Sequence, residues 1–147
     1  MSREHPDRPL VGVGAVVWRG ERVLLIRRGK PPRAGQWSLP GGAQELGETV
    51  IEAARREVRE ETGLELARVE LLTVVDSIER DADGRVRRHY TLVDVTAEAG
   101  PGEARAGDDA AAVAWFTLEE LAGLGLWEET LRVIRLAAAR RRSQATE

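Results

Sequence analysis

One stretch constrains the fold more than any other: Gly41–Leu64, GGAQELGETVIEAARREVREETGL. Its middle is a helix with both ends written into the sequence. Thr49-Val50-Ile51-Glu52 has the form of a capping box. In it the Thr49 hydroxyl accepts from the Glu52 N–H, and the Glu52 carboxylate accepts from the Thr49 N–H. Gly63 supplies the left-handed residue that closes the far end. The helix therefore runs from about Thr49 to about Thr62. At ~100° per residue, with Val50 at zero, Ala54, Val58 and Ile51 lie within ~100° of it and form the core-facing stripe. Arg55, Glu52 and Arg59 point the opposite way, to solvent.

Three acids break this pattern. Glu61 lands near ~20° and Glu57 near ~340°, within or beside the apolar stripe, and Glu60 near ~280°. Acids on a helix are usually a solvated face, but this spacing argues against that reading. Like charges at i,i+4 repel, and they repel more where apolar neighbours lower the dielectric. Glu60 and Glu61 also sit in the last turn, where the helix dipole disfavours anions. Arg56, able to pair with Glu52 or Glu60, offsets only part of this. A divalent cation would turn repulsion into shared coordination. Several carboxylate oxygens, with no cysteine and no nearby histidine, suit a hard ion, Mg²⁺ or Mn²⁺.

The flanking segments say what covers the helix. Leu10–Trp18 and Val23–Arg28 are valine- and leucine-rich strands joined by the turn RGER, which predicts a hairpin. Gly29–Gly42, with its prolines and glycines, predicts an irregular loop with one short extended piece. LARVELLTVVDSIE and RVRRHYTLVDVTAE, separated by RDADGR, predict a long hairpin. AAVAWF is a last short strand, with Trp115 and Phe116 expected in the core. TLEELAGL predicts a short helix capped by Thr117, and LWEETLRVIRLAAARRRS a closing amphipathic helix with Leu131, Ile134 and Ala138 on one side. The order β β loop α β β loop β α α predicts an α/β fold, an α/β/α sandwich around a mixed central sheet.

Length and composition fit one domain over residues 1–147, with residues 1–8 a flexible lead-in. A net charge of −3 gives no global reason to expect nucleic acid or membrane partners. No segment is apolar and long enough for a membrane span or a secretory signal. The absence of cysteine excludes a thiolate nucleophile and suits a cytoplasmic setting.

Gly42, five residues, Glu48, seven residues, then Arg56-Glu57-Val58-Arg59-Glu60-Glu61-Thr62-Gly63-Leu64 resembles the complete Nudix box. The preceding GQWSLPGG and the order of elements resemble that family over nearly the whole chain. The resemblance implies a pyrophosphohydrolase that cleaves the diphosphate linkage of a nucleoside diphosphate joined to another group, with small ADP-ribose pyrophosphatases the nearest pattern. It implies metal ligation by Glu57, Glu60, Glu61 and the Gly41 carbonyl, orientation of the glutamates by Arg56, and support of the loop by Glu48. The general base is then a helix glutamate or an acid of the distal loop, Glu103, Asp108 or Asp109. One departure concerns substrate: the proline that ADP-ribose enzymes often carry past the box is replaced by Ile78, Glu79 and Arg80.

Other candidates stand beside the box. Arg27 and Arg28 end a strand near where phosphate would sit, and suit bidentate phosphate binding or a solvated strand end equally. His89, beside Tyr90, lies in a strand that would line the cleft. Trp37 and Trp127 are expected to pack, and the arginines at 140–142 to stabilise a helix end. The expected partner is a small nucleotide, and a homodimer stays open. Two other functions remain: a pyrophosphohydrolase that sanitises oxidised or non-standard nucleoside triphosphates, and a Nudix-like module that senses nucleotide without cleaving it. Retention of every box glutamate argues against the last.

Overall fold

The run from Gly12 to Trp18 is buried at every position, which is what a valine-rich strand covered on both faces requires. In the computed structural model, which describes residues 3–31, 33–107 and 109–145, this strand, β1 (Leu10–Arg19), is the middle of a seven-stranded mixed sheet. The others are β2 (Arg22–Arg28), β3 (Trp37–Ser38), β4 (Gly41–Ala43), β5 (Leu66–Arg80), β6 (Val86–Ala99) and β7 (Ala110–Thr117). The order is β3-β2-β1-β6-β5, with β4 added to β1 and β7 to β2. Among the described residues, only β1 and β6 run parallel, in register from Leu10↔Tyr90 to Trp18↔Glu98.

The expected β1–β2 hairpin forms but is short, paired only at Trp18↔Val23 and Arg19↔Arg22. Beyond it β2 turns to β7, which it follows along its whole length. This frees the edge of β1 for β4, so the glycine-rich loop expected to hold one extended piece holds two.

Two apolar layers cover the sheet. Helix α1 (Val50–Thr62) packs Ala53, Ala54 and Val58 against Val13, Ala15, Val17, Leu24 and Val95. Helix α2 (Glu128–Ala145) packs Val133, Ile134, Ala137 and Ala138 against Val16, Trp18, Val23 and Leu25 on the other face. The architecture is the α/β/α sandwich with a mixed sheet expected from the element order. Both ends of α1 are built as read. The Thr49–Glu52 capping box closes with both bonds, and Gly63 takes φ 76° and returns its N–H to the Arg59 carbonyl at 2.9 Å.

Three details differ from expectation. Ile51 is half-buried while Ala53 is fully buried, so the apolar stripe is rotated toward Ala53. Residues 119–123 form a 3₁₀ turn rather than an α-helix, although Thr117 and Glu120 exchange reciprocal bonds. Ahead of β1, the His5 N–H donates to the Arg87 carbonyl at 2.8 Å, its ring meets Asp81 at 3.0 Å, and Glu4 pairs with Arg88 at 2.8 Å. Trp127, expected to pack, is 39% exposed. Among the described residues, no helix is long and apolar enough to cross a membrane.

Candidate active site

Strand β4 and helix α1 meet edge-on, and glycine is what lets them. The Gly41 N–H donates to Glu61 Oε1 at 2.7 Å. A Cβ on Gly41 would run into the Val13 carbonyl, and one on Gly42 would lie 2.5–2.6 Å from the Glu57 carboxyl atoms. Two acids of the helix are therefore pressed onto a backbone stripped of side chains. Glu61 is 8% exposed, and burial, only partly offset by the Gly41 N–H, pushes its carboxyl up to about 8. Burial also raises Glu57, against the pull of Arg56. Glu60 is exposed at the rim.

Arg56 ties this group together. Its Nε and Nη2 donate to the two Glu48 oxygens at 2.7 and 3.0 Å, a bidentate pair. Nη1 donates to Glu57 at 2.9 Å and Glu60 at 3.3 Å, and Nη2 also reaches the Ala43 carbonyl of β4 at 2.9 Å. Glu48 accepts from the Glu45 N–H as well, and Arg56 with that N–H holds its carboxyl down at about 2. Of the two partners open to Arg56 on spacing, the structure uses Glu60, while Glu52 is spent in the cap.

Among the described residues, no three carboxylates converge as a ready-made ion cage. Glu57 and Glu60 are turned toward Arg56 and Glu61 toward Gly41. The donor set still fits a hard dication: it is all oxygen, and two of its members carry raised pKa values because burial disfavours their charge.

The loop after β6 docks on the end of this helix. The Arg105 and Gly107 N–H groups donate to the Thr62 and Glu61 carbonyls, each at 2.9 Å. Asp109 is thereby brought close enough for its charge to raise Glu61, but its carboxylate is paired with Lys30 at 2.6 Å and held below its usual range by that contact. Glu103 is exposed on the same loop. Asp108 lies outside the described residues.

Beside β4 a cleft of about 440 Å³ opens over β1 and β6, toward the start of α2. Arg28 lines it, whereas Arg27 does not; the Arg27 guanidinium lies 5.8 Å from the Trp37 ring centroid instead. Trp37 packs edge-on to Phe116 with centroids 5.1 Å apart, as expected of a packing residue. His89 is also absent from the cleft wall. Strand β6 presents Arg88, Tyr90, Leu92 and Asp94 to the cleft, and the two-residue period turns His89 to the other face. Two cleft residues were not expected there: Trp127 and Asp94. An acid inside the apolar run TLVDV was the available signal for the second.

A NUDIX domain family model matches residues 8–140. The chain belongs to the Nudix family. It is 40% identical over 123 residues to an ADP-ribose pyrophosphatase of Methanocaldococcus jannaschii, covering 84% of this chain and 70% of that protein. It is 41% identical over 113 residues to a putative 8-oxo-dGTP diphosphatase 2 of Mycobacterium tuberculosis, covering 76% and 75% respectively. A crystal structure of a MutT NUDIX hydrolase from Burkholderia pseudomallei superposes with a TM-score of 0.77 at 39% identity, covering 88% of this chain and 98% of that one. This protein is thus an enzyme, a Nudix hydrolase with the fold of that family, and its box is the β4–α1 junction described above.

Proposed function

We propose that this Nudix hydrolase cleaves the diphosphate bond of a nucleoside diphosphate linked to another moiety, with ADP-ribose the favoured substrate. The observation that carries the reading is the packing of Glu57 and Glu61 onto Gly41 and Gly42, with Arg56 locking Glu48, Glu57 and Glu60 into one network. Likeness to the M. jannaschii ADP-ribose pyrophosphatase supports the substrate. Glu57, Glu60, Glu61 and the Gly41 carbonyl would hold Mg²⁺ or Mn²⁺. When bound, such an ion neutralises diphosphate oxygens and lowers the pKa of the attacking water.

The chain's own residues do the rest. Arg56 fixes the angle at which Glu57 and Glu60 are presented. Glu48, kept ionised by Arg56, anchors that guanidinium and braces the loop ahead of α1. Arg28, which lines the cleft, would meet phosphate bidentately. A helix glutamate or Asp109 would take the proton from water, Asp109 after release from Lys30. Because the reaction is a displacement at phosphorus by water, positioning and charge stabilisation suffice and no side-chain nucleophile is needed.

A second reading has its own support. The M. tuberculosis relative, at comparable identity, points to hydrolysis of oxidised nucleoside triphosphates. A panel of ADP-ribose, other nucleoside diphosphate conjugates, dGTP and 8-oxo-dGTP, assayed with Mg²⁺ for the products of diphosphate cleavage, separates the two. Turnover of ADP-ribose that is abolished in Glu57→Gln supports the first reading. Preference for 8-oxo-dGTP supports the second, and binding without turnover on every member would reduce the chain to a sensor.

A further inference from the structure

Glycines 12 and 14 lie on the cleft side of β1, and each leaves room for a neighbour on β6. A Cβ on Gly12 would fall 2.8 Å from the Leu92 side chain; one on Gly14 would fall 2.5 Å from Asp94 Oδ1. These are register partners, Gly12↔Leu92 and Gly14↔Asp94. The Asp94 carboxylate thus lies over the bare backbone of β1, on the floor of the cleft, and is 5% exposed.

Nothing described in the protein satisfies it. No hydrogen bond or ion pair to Asp94 is formed among the described residues, and because no fully buried side-chain oxygen there lacks a partner, its carboxylate oxygens reach the open cleft. The cation whose charge it feels is Arg132, and that guanidinium is held by Glu129 through two bonds, at 2.8 and 3.1 Å. Burial pushes the carboxyl up to about 6. A carboxylate held in a partly desolvated cleft floor with no protein donor costs stability, so a packing role does not explain it. Its surroundings narrow what would complete it. Leu92, Tyr90 and the exposed face of Trp127 line the same cleft, offering apolar and aromatic walls to a flat ring.

We propose that Asp94 determines specificity in this cleft, accepting hydrogen bonds from the N–H donors on the edge of the substrate's nucleobase. The shared chemistry is a planar heterocycle bearing amino or imino hydrogens, supplied by an adenine amino group or by the N1–H and N2–H₂ pair of guanine. The assignment rests on the reading of the neighbouring β4–α1 junction as the place where the diphosphate is cut.

The test is Asp94→Asn, which keeps the shape, together with Gly14→Ala, which displaces the carboxylate from the β1 side. Each is compared with the wild type on matched adenine, guanine and hypoxanthine nucleotides and on a base-free sugar diphosphate. Loss of a charge-assisted bond predicts a KM raised about tenfold or more in both variants, with kcat little changed, for the base that Asp94 reads. An adenine-selective effect assigns the adenine amino group; a guanine-selective effect assigns the guanine edge. Equal KM values in wild type and Asp94→Asn on every nucleotide overturn the proposal, as does an equal loss on the base-free compound. Asp94→Asn should melt no lower than the wild type at pH 8, whereas an acid needed for packing would lower it. Should no compound be turned over, the functional reading falls, but calorimetric titration of the wild type and Asp94→Asn with AMP and GMP still decides the role of Asp94.

Discussion

Replacing Glu61 by glutamine tests the idea that this acid is tolerated for the sake of a cation rather than for the fold. Its carboxyl stands at about 8 in the folded protein against 4.5 as the ordinary value. A raised folded pKa means that the contribution of Glu61 to stability is fully present below pH 4.5 and is lost as the pH climbs to about 8. At ~1.4 kcal/mol per pH unit, the ionised side chain costs the metal-free fold on the order of 5 kcal/mol once the pH exceeds that value. For a chain of this length that is roughly 10 °C of melting temperature. Glutamine keeps the carbonyl that accepts from the Gly41 N–H and carries no charge to bury. Calorimetric melting in EDTA should therefore show the difference between Glu61→Gln and wild type growing in favour of the variant from pH 5 to pH 8. Millimolar Mg²⁺ or Mn²⁺ should recover the wild type at pH 8 and leave the variant nearly unmoved. A metal-free Glu61→Gln protein that melts below the wild type at pH 8 would refute the reasoning, because Glu61 would then be a net stabiliser. So would equal ion-induced shifts in the two proteins.

Three further outcomes are expected. Gly42→Ala places a methyl group 2.5–2.6 Å from the Glu57 carboxyl; a displacement of this size costs turnover about a hundredfold, read as kcat with circular dichroism unchanged. Arg56→Lys supplies one point charge where a planar fork serves Glu48, Glu57, Glu60 and the Ala43 carbonyl; thermal melting should fall by several degrees and kcat should fall with it. Thr49→Ala removes the acceptor for the Glu52 N–H and should cost about 1 kcal/mol in urea denaturation, with KM unaffected.

What was readable in the sequence was what is decided locally. The capping box, the left-handed Gly63 and the box spacing are short-range chemistry, and they fixed α1 and its acids before any pairing was known. What was hidden depends on partners far along the chain. Nothing in RVRRHYTLVDV says which of two alternating faces will meet the cleft, so His89 was expected on the wall where Tyr90 and Asp94 stand. Irregular steps in the β5–β6 pairing, between Ala67 and Glu70 and between Leu71 and Thr73, further separate residue parity from facing direction. Arg27 and Arg28 posed the same ambiguity at a strand end. The sequence alone predicts a packing role for Trp127; that its ring lines the cleft follows only from where α2 begins.

The lone parallel pairing in the sheet has a bearing on how the protein is born. Strand β1 leaves the ribosome well before the neighbour that shares its longest edge, β6, which is made only after α1 and β5. Until then a run of valines waits with one flank open, the condition under which nascent chains stick to one another. Any truncation ending before Val86 would strand β1 in that state, and chaperone dependence or insolubility of such fragments is the expected consequence of pairing two strands so far apart along the chain.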